Sequence, residues 1–117
     1  MSHGVVNYKG YTREDALGSV GPGWAVLVHM VFDTLATIKG QVKIVQVKEK
    51  WGGLRIYTDY VNEQLDKSVR VAERDSFTLC EECGLAGTLR QGSYYRTLCD
   101  KHADNRKSIN MGDDDAS

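Results

Sequence analysis

The residues with the clearest capacity for chemistry are three cysteines and one histidine near the C-terminus. Cys80 and Cys83 are separated by two residues, and after fifteen further residues Cys99 and His102 repeat that separation. Zn²⁺ binds thiolate and imidazole ligands at tetrahedral corners, and a two-residue spacing lets one tight turn supply two of them. The pattern predicts one structural zinc ion held by Cys80, Cys83, Cys99 and His102, with no position open for a catalytic water.

Other chemistry for these four residues has less support in the sequence. Ordinary buried thiols beside a surface histidine seldom fall into two such pairs. A nucleophilic cysteine needs a base and an orienting partner, and a nuclease of the histidine–metal type needs a further histidine near the finger. The remaining histidines, His3 and His29, lie in segments that nothing connects to the thiols. A water in place of His102 would leave the same pattern, so the fourth ligand stays open at this stage.

The segment around the ligands has the composition of a small zinc finger. Gly84 follows the first pair and permits the backbone turn of a zinc knuckle. Residues 88–90 and 94–98 flank Gln91-Gly92-Ser93 and predict a hairpin, and a short helix is expected through about Ser108. Knuckle, hairpin and helix in this order are typical of a treble-clef finger, whereas some zinc ribbons share the spacing without the final helix.

The elements that must position this finger lie upstream. Gly21-Pro22-Gly23 interrupts regular structure, and Gly40 is placed to end the helix between them. The apolar residues of that helix recur at one face: Trp24, Leu27, Val28, Val31, Leu35 and Ile38. Residues 41–48 and 54–58 predict two strands joined through the glycines of 49–53 as a β-hairpin.

A second helix is expected to follow the hairpin and to run into Cys80. Asp59 is a suitable N-cap residue. The apolar face of this helix is predicted to comprise Val61, Leu65, Val69 and Ala72, with Ser76 or Phe77 at its end. Together these patterns predict an α+β fold, a helix–β-hairpin–helix domain with a C-terminal treble-clef-like finger.

Length and composition divide the chain into four expected segments. They are an irregular or weakly helical lead (1–20), the core (21–78), the zinc lobe (79–109) and a disordered acidic tail (110–117). The net charge of −1 gives no global electrostatic attraction to nucleic acid or to an anionic membrane. Without a signal-peptide pattern or a long apolar run, thiols at ligand spacing indicate a reducing cytoplasm.

The first hairpin carries a concentration of basic and aromatic residues. Its candidate partner-binding residues are Lys48, Lys50, Trp51, Arg55 and Tyr57. Such residues can contact phosphates and stack on bases, and tryptophan and arginine often dominate protein interfaces. Alternatively, the lysines form the solvent face of an amphipathic hairpin while Trp51 packs in the core and Arg55 covers it.

Four segments form an ordered set: GPGW at 21–24, VKEKWGGLRIY at 47–57, CEECG at 80–84 and TLCDKH at 97–102. The set resembles a group of short uncharacterised bacterial and phage proteins with a Lys-Glu-Lys-(Trp/Phe)-Gly-Gly-Leu-Arg block and a C-terminal Cys/His zinc finger. The resemblance covers about residues 21–103 and implies a small prokaryotic or phage cytoplasmic protein, with no activity attached.

A partial resemblance, at the level of the finger, is to RNA-polymerase-binding transcription factors of the DksA/TraR type. This chain differs from them in ending its second ligand pair with His102, and residues 41–58 predict strands where those proteins have a coiled coil.

The closed metal site, the near-zero net charge and the lack of a nucleophile–base set favour a non-enzymatic, zinc-stabilised module that binds a host or regulatory protein. The alternative is a nucleic-acid-binding accessory or transcription-regulatory protein that uses the hairpin and the finger.

Overall fold

Helices and two hairpins alternate along the chain in the computed structural model, which describes residues 5–103 and 106–107. The elements are α1 (Arg13–Leu17), α2 (Ala25–Thr37), β1 (Ile44–Lys50), β2 (Gly53–Thr58), α3 (Glu63–Ser76), β3 (Thr88–Arg90) and β4 (Arg96–Leu98). Two 3-10 turns, Pro22–Trp24 and Asp100–His102, precede α2 and follow β4. The predicted α+β class is confirmed.

The main core forms between α2, α3 and the first hairpin. The predicted apolar face of the first helix is correct for its first four members, since Trp24, Leu27, Val28 and Val31 are all buried. Phe32 is also buried and was not predicted, while the last two predicted members only pack against the rim of the core. The helix ends at Thr37, before the predicted glycine stop.

The first hairpin is antiparallel, as predicted, but its first strand is displaced along the chain. β1 begins at Ile44 and continues to Lys50, where the prediction placed it at 41–48. Lys50 pairs with Gly53, so Trp51 and Gly52 alone form the connecting turn. Such two-residue turns are the commonest hairpin connections, because their twist matches that of the strands.

The start of the second helix differs from the prediction. α3 begins at Glu63, and its N-cap is Asn62, whose side chain accepts a hydrogen bond from the Leu65 N–H at 2.9 Å. The predicted cap, Asp59, instead accepts from the Lys43 N–H at 2.6 Å at the open end of the hairpin. Val61 precedes the helix and is 91% exposed, so it does not belong to the apolar face.

The C-terminal half of α3 lies along the outer edge of β2. The Leu54 N–H donates to Ser76 Oγ and the Ile56 N–H donates to a Glu73 carboxylate oxygen, each at 2.9 Å. An edge strand normally presents such groups unpaired. Here helix side chains satisfy the hydrogen bonds that a third strand would otherwise provide.

The lead segment contributes to the fold through α1. Thr12 and Asp15 form a reciprocal capping box at its start, and Ala16 is fully buried in the core. Upstream of the helix, the Asn7 N–H donates to the Val45 carbonyl at 2.8 Å. Within 5–103 and 106–107, no helix is long and apolar enough to cross a membrane. The predicted acidic tail, 110–117, lies outside the described residues.

Candidate metal centre and adjoining groove

The four predicted ligands converge at the C-terminal end of the fold. One ligand atom from each of Cys80, Cys83, Cys99 and His102 lies within 4.8 Å of all the others. The Sγ atoms of Cys83 and Cys99 are 3.7 Å apart, and His102 Nδ1 lies 3.6 Å from Cys80 Sγ and 3.3 Å from Cys99 Sγ. Tetrahedral zinc with ordinary bond lengths requires about 3.8 Å between sulfurs and about 3.6 Å between sulfur and nitrogen. The side chains therefore fit one zinc ion.

Two local structures bring the ligand pairs together. The first pair sits in a turn in which the Gly84 N–H donates to the Cys80 carbonyl at 2.8 Å, and Gly84 itself has φ +80°. The second pair follows β4, with His102 in the 3-10 turn that begins after Cys99. The Glu81 N–H donates to the Thr97 carbonyl at 3.0 Å and joins the first turn to β4.

Hydrogen bonds among the four side chains shift their pKa values in opposite directions. Burial raises the pKa of the Cys99 thiol, but hydrogen bonds from His102 and the other sulfurs outweigh it, and the pKa is lowered to about 6. Burial also raises the pKa of Cys80, but backbone hydrogen bonds outweigh it, so the pKa is lowered overall. For Cys83, a backbone hydrogen bond from Leu85 lowers the pKa, yet burial and the adjacent sulfurs raise it overall. The thiolates of Cys99 and Cys80 raise the pKa of His102.

Arginine side chains neutralise the acidic residues around the ligands. Arg96 contacts Glu81 at 2.8 Å and Glu82 at 2.6 Å. Burial still raises the pKa of Glu81 despite this contact. Arg90 is buried, donates to the Leu98 carbonyl and contacts the exposed Asp100 at 2.8 Å. The charged residues of the finger are therefore largely committed to holding its own loops.

The segment that carries the first ligand pair is packed directly on the main core. The Gly23 N–H donates to the Glu81 carbonyl at 2.8 Å, and Trp24 Nε1 donates to the Leu79 carbonyl at 2.9 Å. A Cβ atom at Gly23 would lie 1.9 Å from the Cys80 carbonyl oxygen. Only a glycine permits this approach, which explains the glycine at position 23 in the Gly21-Pro22-Gly23 segment.

The tip of the first hairpin rests on the second hairpin. Thr97 Oγ1 donates to the Gly52 carbonyl at 2.7 Å, and a Cβ atom at Gly52 would lie 2.4 Å from Leu89 Cδ1. Trp51 and Gly52 have φ values of +56° and +85°, the pattern of a type I′ turn. Within the described part of the chain, Trp51 is the one non-glycine residue with positive φ. For most side chains this conformation costs roughly 1–2 kcal/mol.

An open groove of about 550 Å³ lies between the two hairpins. Residues 48–51 form one wall and residues 91–95 form the other. Trp51 is 65% exposed and its ring centroid lies 6.2 Å from that of Tyr95, with the rings tilted by 53°. Tyr94 is also exposed, and the Arg106 guanidinium lies 4.9 Å above its ring. The groove thus displays three aromatic rings between the two hairpins.

The five predicted partner-binding residues occupy different places. Lys48, Lys50 and Trp51 line the groove, so the alternative in which Trp51 is buried is wrong. Tyr57 lies on the outer face of the hairpin, 5.6 Å beneath the Lys48 ammonium. Arg55 lies 4.0 Å from a carboxylate of α3 and is outside the groove lining.

The second wall of the groove was not predicted from the sequence. Tyr94 and Tyr95 were assigned to a strand, whereas β4 begins at Arg96 and both tyrosines precede it in the loop. Their adjacency beside a Gly-Ser turn was the available signal. The short helix expected to have His102 in its first turn and to reach about Ser108 is a single 3-10 turn. Ala103, Arg106 and Lys107 are not helical, and part of the predicted span lies outside the described residues.

His29, considered as a catalytic base, is exposed on α2 and contacts Arg13, with His29 Nδ1 and Arg13 Nη1 3.0 Å apart. The structure does not bring it to the thiols. Comparison with protein-family models, curated proteins and solved structures finds no match to this chain.

Proposed function

We propose that the protein is a non-enzymatic binding module whose fold is stabilised by one zinc ion. Cys80, Cys83, Cys99 and His102 hold the ion in a finger whose knuckle and hairpin precede the last ligand pair, an order that treble-clef fingers share with zinc ribbons. In the described residues the last pair ends in a 3-10 turn and not in a helix, which is the ribbon pattern. Four protein ligands complete a tetrahedral shell and make the zinc structural. The module belongs in a reducing cytoplasm, where the thiols stay available to metal.

One observation carries the proposal: the exposed aromatic groove is assembled from the first hairpin and the zinc-supported hairpin together. Neither hairpin forms the groove alone, because 48–51 and 91–95 are opposite walls. The contact between Thr97 and the Gly52 carbonyl fixes their relative position. The metal therefore acts at a distance, by holding one wall of a recognition surface.

The closed metal centre can be tested by cobalt substitution. The protein purified without added metal should contain one zinc per chain, and Cys99→Ser should abolish it. In the Co²⁺ form, the visible absorption should be that of tetrahedral sulfur–nitrogen coordination and should not shift on adding azide. A shift would show an open coordination position, which a structural site lacks, and would contradict this part of the proposal.

The recognition surface can be tested with a matched pair of variants. Immobilised wild-type protein is exposed to a lysate, and retained proteins and nucleic acids are identified separately. Trp51→Asn should fail to retain a molecule that the wild-type protein retains, because the substitution removes the ring while asparagine suits the positive φ of the turn. Tyr60→Ser removes an equally exposed aromatic residue at the opposite end of the hairpin, and this variant should still retain that molecule. Identical retention by all three proteins would contradict the groove as the binding surface.

Two partner classes fit a module of this kind. A host or regulatory protein is the first expectation from the sequence, since the net charge is −1. Nucleic acid is the second candidate, and the chemistry of the groove favours it. The groove combines exposed rings with lysines, which is the combination found on surfaces that bind single strands.

A further inference from the structure

We infer that the groove binds single-stranded nucleic acid, with bases stacked on its aromatic rings and phosphates beside its cations. The inference rests on the proposed function and names the partner class for the same surface. The residues that carry it are Trp51, Tyr94, Lys48, Lys50 and Arg106.

The aromatic rings are largely exposed, although the Arg106 guanidinium lies over one face of Tyr94. Trp51 is 65% exposed and Tyr94 is 57% exposed. The tilt of 53° between the rings of Trp51 and Tyr95 prevents them from covering each other face to face. Every base has a face that can stack on such a ring, so the contact tolerates different sequences.

The side chains around the rings carry a net positive charge. Lys48 and Lys50 form no ion pair with an acidic side chain in the part of the chain that the structure describes. The Lys48 ammonium lies 5.6 Å over the ring of Tyr57. Arg106 lies over the outer wall and uses its guanidinium to donate to the Tyr94 carbonyl at 2.6 Å. The single acidic residue of the lining, Glu49, already accepts from the Gly52 N–H at 2.8 Å. Lys48, Lys50 and Glu49 together give the lining a formal charge of +1, opposite in sign to the net charge of −1 of the chain.

The groove presents aromatic rings and lysines but no aliphatic side chains. Its nine lining residues include no leucine, isoleucine, valine or methionine. The buried centre of a protein interface is usually depleted in charged residues and rich in apolar area. Rings and lysines without aliphatic side chains match a nucleic-acid strand better than a protein surface.

The conformation of Trp51 provides an independent reason to assign it to recognition. Positive φ at both turn residues favours Asn-Gly over Trp-Gly, so tryptophan is a poor choice for the turn itself. It is also mostly exposed and contributes little to the core. Strained positions of this kind concentrate at ligand-binding sites.

The test is fluorescence anisotropy with the zinc-loaded full chain and labelled oligonucleotides of about ten nucleotides. The probes are oligo(dT), oligo(rU) and a mixed-sequence duplex of the same length. Either single strand should bind more tightly than the duplex, and the two strands separate DNA from RNA as the partner. Trp51→Asn should weaken binding roughly 5- to 150-fold, the loss of one stacked base.

The lysines are tested through the salt dependence. Three phosphate contacts predict a slope of about −2 for log K against log[salt] on a single strand. Lys50→Ala should reduce the magnitude of that slope by about 0.7. Lys67→Ala, on the exposed side of α3, removes the same charge outside the groove and should leave the slope unchanged.

Failure of this inference is distinguishable from failure of the proposed function. Absence of binding by all three probes at about 50 mM salt, or binding that Trp51→Asn does not weaken, overturns single-strand recognition. If the lysate experiment then shows a protein that only Trp51→Asn fails to retain, the groove is a protein-binding surface and the proposed function as a binding module still holds. If neither experiment depends on Trp51, both proposals are wrong.

Discussion

Replacing Gly23 by alanine should separate the zinc finger from the main core. The added Cβ would lie 1.9 Å from the Cys80 carbonyl oxygen and 2.6 Å from the Gly84 nitrogen. Ordinary contact distances are near 3.5 Å, so the knuckle backbone would have to move by more than about 1 Å. Overpacking of this severity belongs at the upper end of the usual range, about 3 kcal/mol of unfolding free energy.

The assay is thermal unfolding of zinc-loaded protein followed by circular dichroism. A loss of about 3 kcal/mol corresponds to a melting temperature lowered by roughly 10–15 °C in a domain of this size. Zinc content should remain one per chain, because Gly23 supplies no ligand. Its matched control is Gly40→Ala, since no atom lies within 4 Å of the Cβ position at Gly40. That variant should melt at or slightly above the wild-type temperature.

A melting temperature for Gly23→Ala within about 2 °C of wild type would refute the reasoning, since that shift corresponds to under about 0.5 kcal/mol. It would mean that the knuckle can move away from the 3-10 turn at little cost. The contact would then be incidental, and the finger would behave as a separate lobe.

Three further predictions test the core, the sheet edge and the metal centre. Leu27→Ala should cost about 2–5 kcal/mol in chemical unfolding, whereas Val26→Ala, at a position 61% exposed on the same helix, should cost much less. Ser76→Ala leaves the buried Leu54 N–H without its acceptor and should cost about 1–3 kcal/mol, measured the same way; an unchanged stability would mean that another group replaces the hydroxyl. Zinc binds thiolates and neutral imidazole, so zinc retention against a chelator, followed by a colour indicator, should fall as the pH is lowered. Because the pKa of Cys99 is lowered to about 6, protonation of this ligand should add to the loss only below that pH.

The parts of the fold that sequence analysis predicted are those governed by local periodicity and ligand spacing. The helical repeat from Trp24 to Val31 survives in the structure because one face meets the core over its whole length. The glycines of 49–53 predicted the hairpin because a reversal needs positive φ. The two Cys/His pairs predicted the convergence of the ligands, since each pair is already local.

The parts that were missed depend on contacts between distant segments. Asp59 and Asn62 are equally good N-cap residues, and the Lys43 N–H decides between them by engaging Asp59. A large apolar residue such as Trp51 is often buried, but the register of the strands places this one in the turn. Tyr94 and Tyr95 form one wall of a groove only because the two hairpins pack against each other, and no residue spacing in the sequence predicts that contact.

The closed edge of β2 determines how this ribbon can engage another molecule. Ser76 and Glu73 occupy the N–H groups through which β2 would otherwise take up a neighbouring strand. Recognition by strand addition is therefore blocked along that edge, and so is the edge-to-edge pairing that leads short hairpins to aggregate. A partner that approaches this edge has to be recognised by side chains. Substitutions in the turn can therefore alter what is bound while the sheet stays unchanged.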